Sequence, residues 1–235
     1  MTEQEWRDGM GELVRESAQS EANKQYDGIK LTKARAQIYI TQQSLFIRHR
    51  RDCWAYVSGN CPQLSVKQKI LEHEYEEIIR DEYSEYGHLD LVIRQAKSIG
   101  LSPEEVIDTL PLPTTRAALY AYGWLTRKKP WQEGLAALMA TERMNDNQLL
   151  ADLGGGSALR TGKKWIEDLG LTWEQIPNAA AHSKADEKHS EMFLSCLAEF
   201  VPCDQEEIVL QATRESLELR ELMLWGIGEA MEKVS

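Results

Sequence analysis

Apolar residues recur three and four positions apart along nearly the whole chain, and the alternating β-branched runs that would signal strands are few. That period gathers apolar side chains on one face of a helix, so an all-α fold is expected and no sheet is needed. The periodic segments fall near 2–23, 29–58, 64–99, 103–109, 113–126, 131–152, 160–168, 173–200 and 204–233. Punctuation sets their limits. Gly100 can close one helix, and Ser102-Pro103-Glu104-Glu105 supplies an N-cap, a proline at the first helical position and a capping box for the next. Thr172-Trp173-Glu174-Gln175, after Gly170, repeats the capping pattern, and Pro177 makes that helix restart or bend near Asn178. Gly154-Gly155-Gly156-Ser157 followed by Gly162-Lys163-Lys164 lacks the spacing, the Ser/Thr after lysine and the preceding strand of a phosphate loop. These glycines read instead as a connection between helices.

The 235 residues suit one domain spanning 1–235. Asp and Glu outnumber Lys and Arg by 38 to 27, and a net charge of -11 repels phosphate backbones and anionic membrane surfaces. Nucleic acid and membrane are therefore not expected partners. No stretch approaches the roughly 20 apolar residues that span a bilayer, and MTEQEWRDGMGELVRES lacks an apolar core behind basic residues, so a cytoplasmic protein is expected. Cys53, Cys61, Cys196 and Cys203 form no CxxC pair, which points to reduced packing residues rather than a disulfide framework or a thiolate zinc site.

Five histidines occur, and two of them bracket an aspartate in His182-Ser-Lys-Ala-Asp186-Glu-Lys-His189. Residues at i, i+4 and i+7 lie within about 60° of one another on a helix, so these three side chains share a face. Imidazole and carboxylate suit iron or manganese, whereas a structural zinc site more often recruits thiolates. The helix rises about 10.5 Å from His182 to His189, a span more natural for two ions than for one. Further ligands would come from other helices. In Asp81-Glu-Tyr-Ser-Glu-Tyr-Gly-His88, Asp81 stands two helical turns before His88 and Glu85 one turn before it; either carboxylate can be the partner. Glu142 ends the apolar run Leu135-Ala-Ala-Leu-Met-Ala-Thr, where a charge is costly unless it is paired or bound to metal.

Each of these features also has a plainer reading. HxxxDxxH beside Lys184, Glu187 and Lys188 describes a solvated helix face equally well, and the acids before His88 describe a charged surface. His49, between Arg48 and Arg50-Arg51, and His73, in an acidic stretch without a second histidine at ligand spacing, read as structural. The tryptophans, among them Trp54, Trp124, Trp131 and Trp165, read as core.

Taken together, a carboxylate seven residues before a histidine, a glutamate on a later helix and then HxxxDxxH resemble the heme-oxygenase-like diiron oxidases, over most of the chain. The resemblance implies a heme-oxygenase-like seven-helix bundle holding two Fe(II) ions with O2 as co-substrate. Its ligands fall on Asp81, His88, Glu142, His182, Asp186 and His189. The first ligand is usually glutamate, so Asp81 departs from the pattern with a shorter reach, and Glu82 and Glu85 stand nearby. Family members oxidise amines, amino acids or fatty acids. The overall sequence looks closest to a member that shortens an aromatic amino acid to a nitrile, so a small aromatic amino acid is the expected substrate, and a homodimer is allowed. Relatives of the same fold that degrade thiamine or oxidise rings without a cofactor lack the iron ligands. A metal-free helical interaction protein is the remaining alternative, favoured by long charged helices such as the one from Asp204 onward.

Overall fold

A computed structural model describes residues 1–80 and 82–234, and of these the side chains of all but 185–190. The expected all-α architecture is observed: no strand occurs among the described residues, which form twelve α-helical segments. They are α1 (Glu3–Ala18), α2 (Glu21–Gly28), α3 (Lys33–Asn60), α4 (Leu64–Ile78), α5 (His88–Ser98), α6 (Pro103–Ile107), α7 (Pro113–Lys128), α8 (Trp131–Arg143), α9 (Ser157–Leu169), α10 (Pro177–Glu191), α11 (Leu194–Phe200) and α12 (Glu206–Glu232).

Helix α8 is the axis of the bundle. Every residue from Glu133 to Arg143 is buried, and the helix packs against α12, α3, α7, α10 and α1. Gly134, Ala136, Ala137 and Ala140 keep it slim, so its neighbours approach closely. Tyr122 of α7 donates to the Ser216 carbonyl of α12 at 2.5 Å, and Ser216 donates to the Ala137 carbonyl of α8, tying three helices through buried polar groups. Trp6, Trp54 and Trp165 are fully buried as expected for core residues, but Trp124 is 55% exposed, with the Lys129 ammonium 5.3 Å from its ring centroid. The four cysteines are free thiols, three buried and Cys203 exposed. No helix among the described residues is long and apolar enough to cross a membrane.

Both capping boxes form, at Ser102/Glu105 and at Thr172/Gln175. The second starts only a 3₁₀ turn, and α10 begins at Pro177, where the proline was expected to restart the helix. Gly154 and Gly155 take φ of +92° and +102° in the connection leading to α9, the left-handed geometry that favours glycine.

Several long segments are cut more finely than hydrophobic period alone suggests. Ser20 caps a new helix inside 2–23, the helix from 131 ends at Arg143, and 173–200 divides into a 3₁₀ turn, α10 and α11. The consequential correction is 64–99, expected as one helix. It breaks into α4 and α5, and residues 79–80 and 82–87 between them are not helical. Gly87 explains the return path: a Cβ there would lie 2.0 Å from the Ile78 carbonyl oxygen, so the chain doubles back against the end of α4 where only glycine fits. His88 therefore starts a helix of its own rather than continuing one from the preceding acids, and Asp81 itself lies outside the described residues.

Candidate metal centre

Four helices bring their acids and histidines to one buried place. His73 and Glu77 sit one turn apart on α4, His88 is the first residue of α5, Glu142 lies near the end of α8, and His182 lies on α10. Ligand atoms of His73, Glu77 and Glu142 all lie within 4.8 Å of one another, and all three residues are buried. His73 Nε2 is 3.2 Å from Glu142 Oε1, and His88 Nδ1 is 3.0 Å from Glu77 Oε2. The rings of His88 and His182 meet edge to face, with centroids 4.2 Å apart.

Of the six expected ligands, the structure brings His88, Glu142 and His182 to this place. Asp81 lies outside the described residues, as do the side chains of Asp186 and His189. Positions 182, 186 and 189 nevertheless fall on one uninterrupted helix, α10. Gln95 of α5 accepts from the Ala179 amide at 3.2 Å, and Asn147 donates to the Ser183 carbonyl at 2.8 Å, so α10 is held on both sides of His182. Glu82 and Glu85 are exposed and take no part. Among the described residues, Glu77 is an acid that faces His88.

Two of the central residues were missed by sequence reasoning. His73 reads as structural because it has no second histidine nearby, yet it is fully buried at the centre of the cluster. The signal that finds it is His73-xxx-Glu77, a histidine and a carboxylate four apart on one helical face. The basic run Arg48–Arg51 also looks hostile to cation binding, but Arg50 and Arg51 face the acids. Arg50 donates to Glu142 Oε1 at 2.6 Å, and Arg51 pairs with Glu74 and Glu77 at 3.0 and 2.9 Å.

The electrostatics follow from this pairing. Burial works against the charge on Glu142, but Arg50 and His73 outweigh it and hold the carboxyl well below the usual carboxylate range. Burial likewise opposes the charge on Glu77, and His88 and Arg51 more than offset it. For His73, desolvation disfavours the cation, but hydrogen bonds to Glu142 and Glu74 push its pKa up to about 9. The indole of Trp54 and the ring of Phe193 pack on His73, at centroid distances of 4.6 and 6.0 Å, and keep this side of the cluster dry.

Buried, ionised carboxylates beside imidazoles form a nitrogen and oxygen donor set that fits iron, and no thiol belongs to it. The residues present therefore fit the metal that the resemblance implies. A cavity opens beside the cluster, lined by Tyr39, Phe46, Arg50, Asn178, His182 and Arg220 among others.

Residues 37–221 match the family described as iron-containing redox enzymes. The chain belongs to that family. Among curated relatives, the pyrroloquinoline-quinone synthases of Acinetobacter calcoaceticus and Acinetobacter baumannii are each 26% identical over 181 residues. These matches cover 75% of this chain, and it spans 65% of the length of those relatives. A protein from Shewanella denitrificans with a heme oxygenase-like fold superposes with a TM-score of 0.75 at 21% identity, over 99% of this chain and 94% of its own. A CADD-like protein from Nostoc punctiforme gives 0.75 at 14% identity, over 97% and 98%. The heme-oxygenase-like fold expected from the sequence is thus the fold of this protein.

Proposed function

We propose that this member of the iron-containing redox enzyme family is a dioxygen-dependent diiron oxidase of an aromatic amino acid. The observation that carries the reading is the buried cluster of His73, Glu77 and Glu142, with His88 and His182 against it. Two Fe(II) ions would be held by these side chains together with Asp186 and His189 of α10. Glu77 takes the place beside His88 that the resemblance gives to Asp81.

When bound, iron supplies the electrons that activate dioxygen. The rest is the work of the chain. Glu142 and Glu77 are kept ionised, the form in which a carboxylate is a ligand, by Arg50, Arg51 and the histidines around them. Arg50 also fixes the orientation of Glu142 by its 2.6 Å hydrogen bond. Trp54 and Phe193 exclude water behind His73. His182 stands at the boundary between the cluster and the cavity, so a ligand in the cavity would meet the centre there.

The finer reading rests on overall sequence likeness to the cyanobacterial nitrile-forming enzyme of aetokthonotoxin biosynthesis. It assigns 5,7-dibromo-L-tryptophan as substrate and 5,7-dibromo-indole-3-carbonitrile as product, the side chain shortened and the amino nitrogen ending in the nitrile. Natural-product biosynthesis in the cytoplasm is the setting proposed with it, and a homodimer is compatible with it.

Anaerobic loading with ferrous iron, metal counting, and then exposure to oxygen with amino-acid substrates tests both levels. Two irons per chain, lost in Glu142→Ala and His182→Ala, and oxygen uptake dependent on the amino acid are expected. Mass spectrometry with 15N-labelled dibromotryptophan should find the label in the nitrile. A chain that takes up no stoichiometric iron overturns the oxidase reading. A chain that binds two irons and oxidises another amino acid overturns only the substrate.

A further inference from the structure

The cavity beside His182 has two polar groups that the fold leaves unsatisfied. Arg220 of α12 donates through Nη2 to Ser157 Oγ at 2.8 Å, but its Nη1 is buried with no hydrogen-bond partner. Asn178, in the first turn of α10 and four residues before His182, has its Oδ1 buried and without a partner. Both residues line the cavity, in company with Tyr39, Ile40, Phe46 and Ile47. A donor and an acceptor buried without partners each forfeit a hydrogen bond that water would have supplied.

Charge sharpens the contrast between the two arginines of this cavity. Arg50 is committed to Glu142 and to the Leu138 carbonyl. Arg220 makes no ion pair with any carboxylate among the described residues, although its Nη1 is buried. A small adjoining recess, lined by Tyr39, Ser157, Thr161 and Arg220 as well, adds Arg160, whose Nε is likewise buried and unpartnered. Asp27, the acid lining that recess, interacts electrostatically with both arginines but lies beyond ion-pair distance of either. The far side of the cavity is thus cationic in a protein whose net charge is -11.

We propose that this cavity is an α-amino-acid subsite, in which Arg220 receives the α-carboxylate and Asn178 Oδ1 accepts from the α-ammonium, with the side chain among Tyr39, Phe46 and the two isoleucines. The complementarity is of type and of place. The missing acceptor of Arg220 is what a carboxylate supplies, the missing donor of Asn178 is what an ammonium supplies, and the apolar lining takes an aromatic or aliphatic side chain. Because Asn178 and His182 lie one helical turn apart on α10, the amino group would sit on the metal side of the ligand and the carboxylate away from it. This assignment rests on the oxidase reading only for what happens to the bound amino acid.

Calorimetric titration tests it with L-tryptophan, 5,7-dibromo-L-tryptophan, L-tyrosine and L-phenylalanine, with tryptamine as the analogue lacking the carboxylate and indole-3-propionate as the analogue lacking the ammonium. Metal-free protein and anaerobic ferrous protein are both titrated. At least one of the amino acids should bind about 30-fold more tightly than its analogue without a carboxylate, the factor expected when a buried charge pair loses one partner. Arg220→Met should bring that ratio to within about threefold while leaving tryptamine affinity and the circular dichroism spectrum unchanged, and Arg220→Lys should fall between. Asn178→Ala should remove the preference over indole-3-propionate. Binding of none of the amino acids to either form, equal binding of amino acid and amine by the native protein, or full discrimination by Arg220→Met overturns the subsite. If such a variant discriminates fully while the native chain binds iron and consumes oxygen, the oxidase reading stands and the subsite falls. Arg220-dependent discrimination in a chain that takes up no iron gives the reverse.

Discussion

The pair formed by Arg50 and Glu142 offers the sharpest test of how the centre is built. Their facing side chains are 10% and 1% exposed and meet at 2.6 Å. In the metal-free protein, Glu142→Leu removes the carboxylate and leaves the guanidinium buried. His73 can respond by giving up its proton, because hydrogen bonds to Glu142 and Glu74 are what keep its pKa high. Arg50 has no such escape, since a guanidinium stays charged throughout the accessible pH range. Breaking a buried pair from one side costs about 3–5 kcal/mol. For a chain of this size, roughly 2–4 °C per kcal/mol gives a fall in Tm of roughly 6–20 °C. Arg50→Met should cost less, because Glu142 keeps its hydrogen bond to His73. The double variant should recover most of the loss, because an apolar pair of similar volume needs neither charge solvated. Urea unfolding followed by circular dichroism after chelator treatment measures all four corners of the cycle. Single variants within about 1 kcal/mol of the native protein, or losses that simply add in the double variant, would refute the argument that these charges are buried and mutually dependent.

Three other outcomes are expected. Gly87→Ala should lose about 1–3 kcal/mol in chemical denaturation, because its methyl carbon meets the Ile78 carbonyl at 2.0 Å and the chain must shift beside His88; an unchanged midpoint would show that the turn yields freely. Glu77→Gln should lower iron stoichiometry measured by metal analysis while Asp81→Asn leaves it near native, and the opposite pattern would return the first carboxylate to Asp81. One thiol per native chain, Cys203, should react quickly with a disulfide reagent at pH 8. Burial pushes the Cys53 thiol up to about 11, leaving about one molecule in a thousand as thiolate at that pH, so quick loss of a second thiol would contradict the packing.

Much of this protein is legible in the amino-acid sequence, because local rules act on neighbours in the chain. The helical period excludes a sheet, Ser102 and Thr172 announce their capping boxes, and Pro177 marks where α10 begins. Glu142, a charge closing an apolar run, announces that something must compensate it. Three of the proposed ligands, His88, Glu142 and His182, are readable from type and spacing and are brought together by the fold. What could not be read locally is which partners meet. His73 carries no spacing signal from another histidine, and the basic run around Arg50 looks repulsive until α3 packs against α4 and α8 and turns it onto buried acids. The break before His88 has the same origin. Period alone favours continuing that helix, but the chain turns back so that Gly87 closely approaches Ile78 and His88 faces Glu77 of the preceding helix. The chain by itself determines which groups are available and which faces must be buried. The tertiary structure decides which charges neutralise one another, because burial strengthens each interaction and penalises any charge left alone.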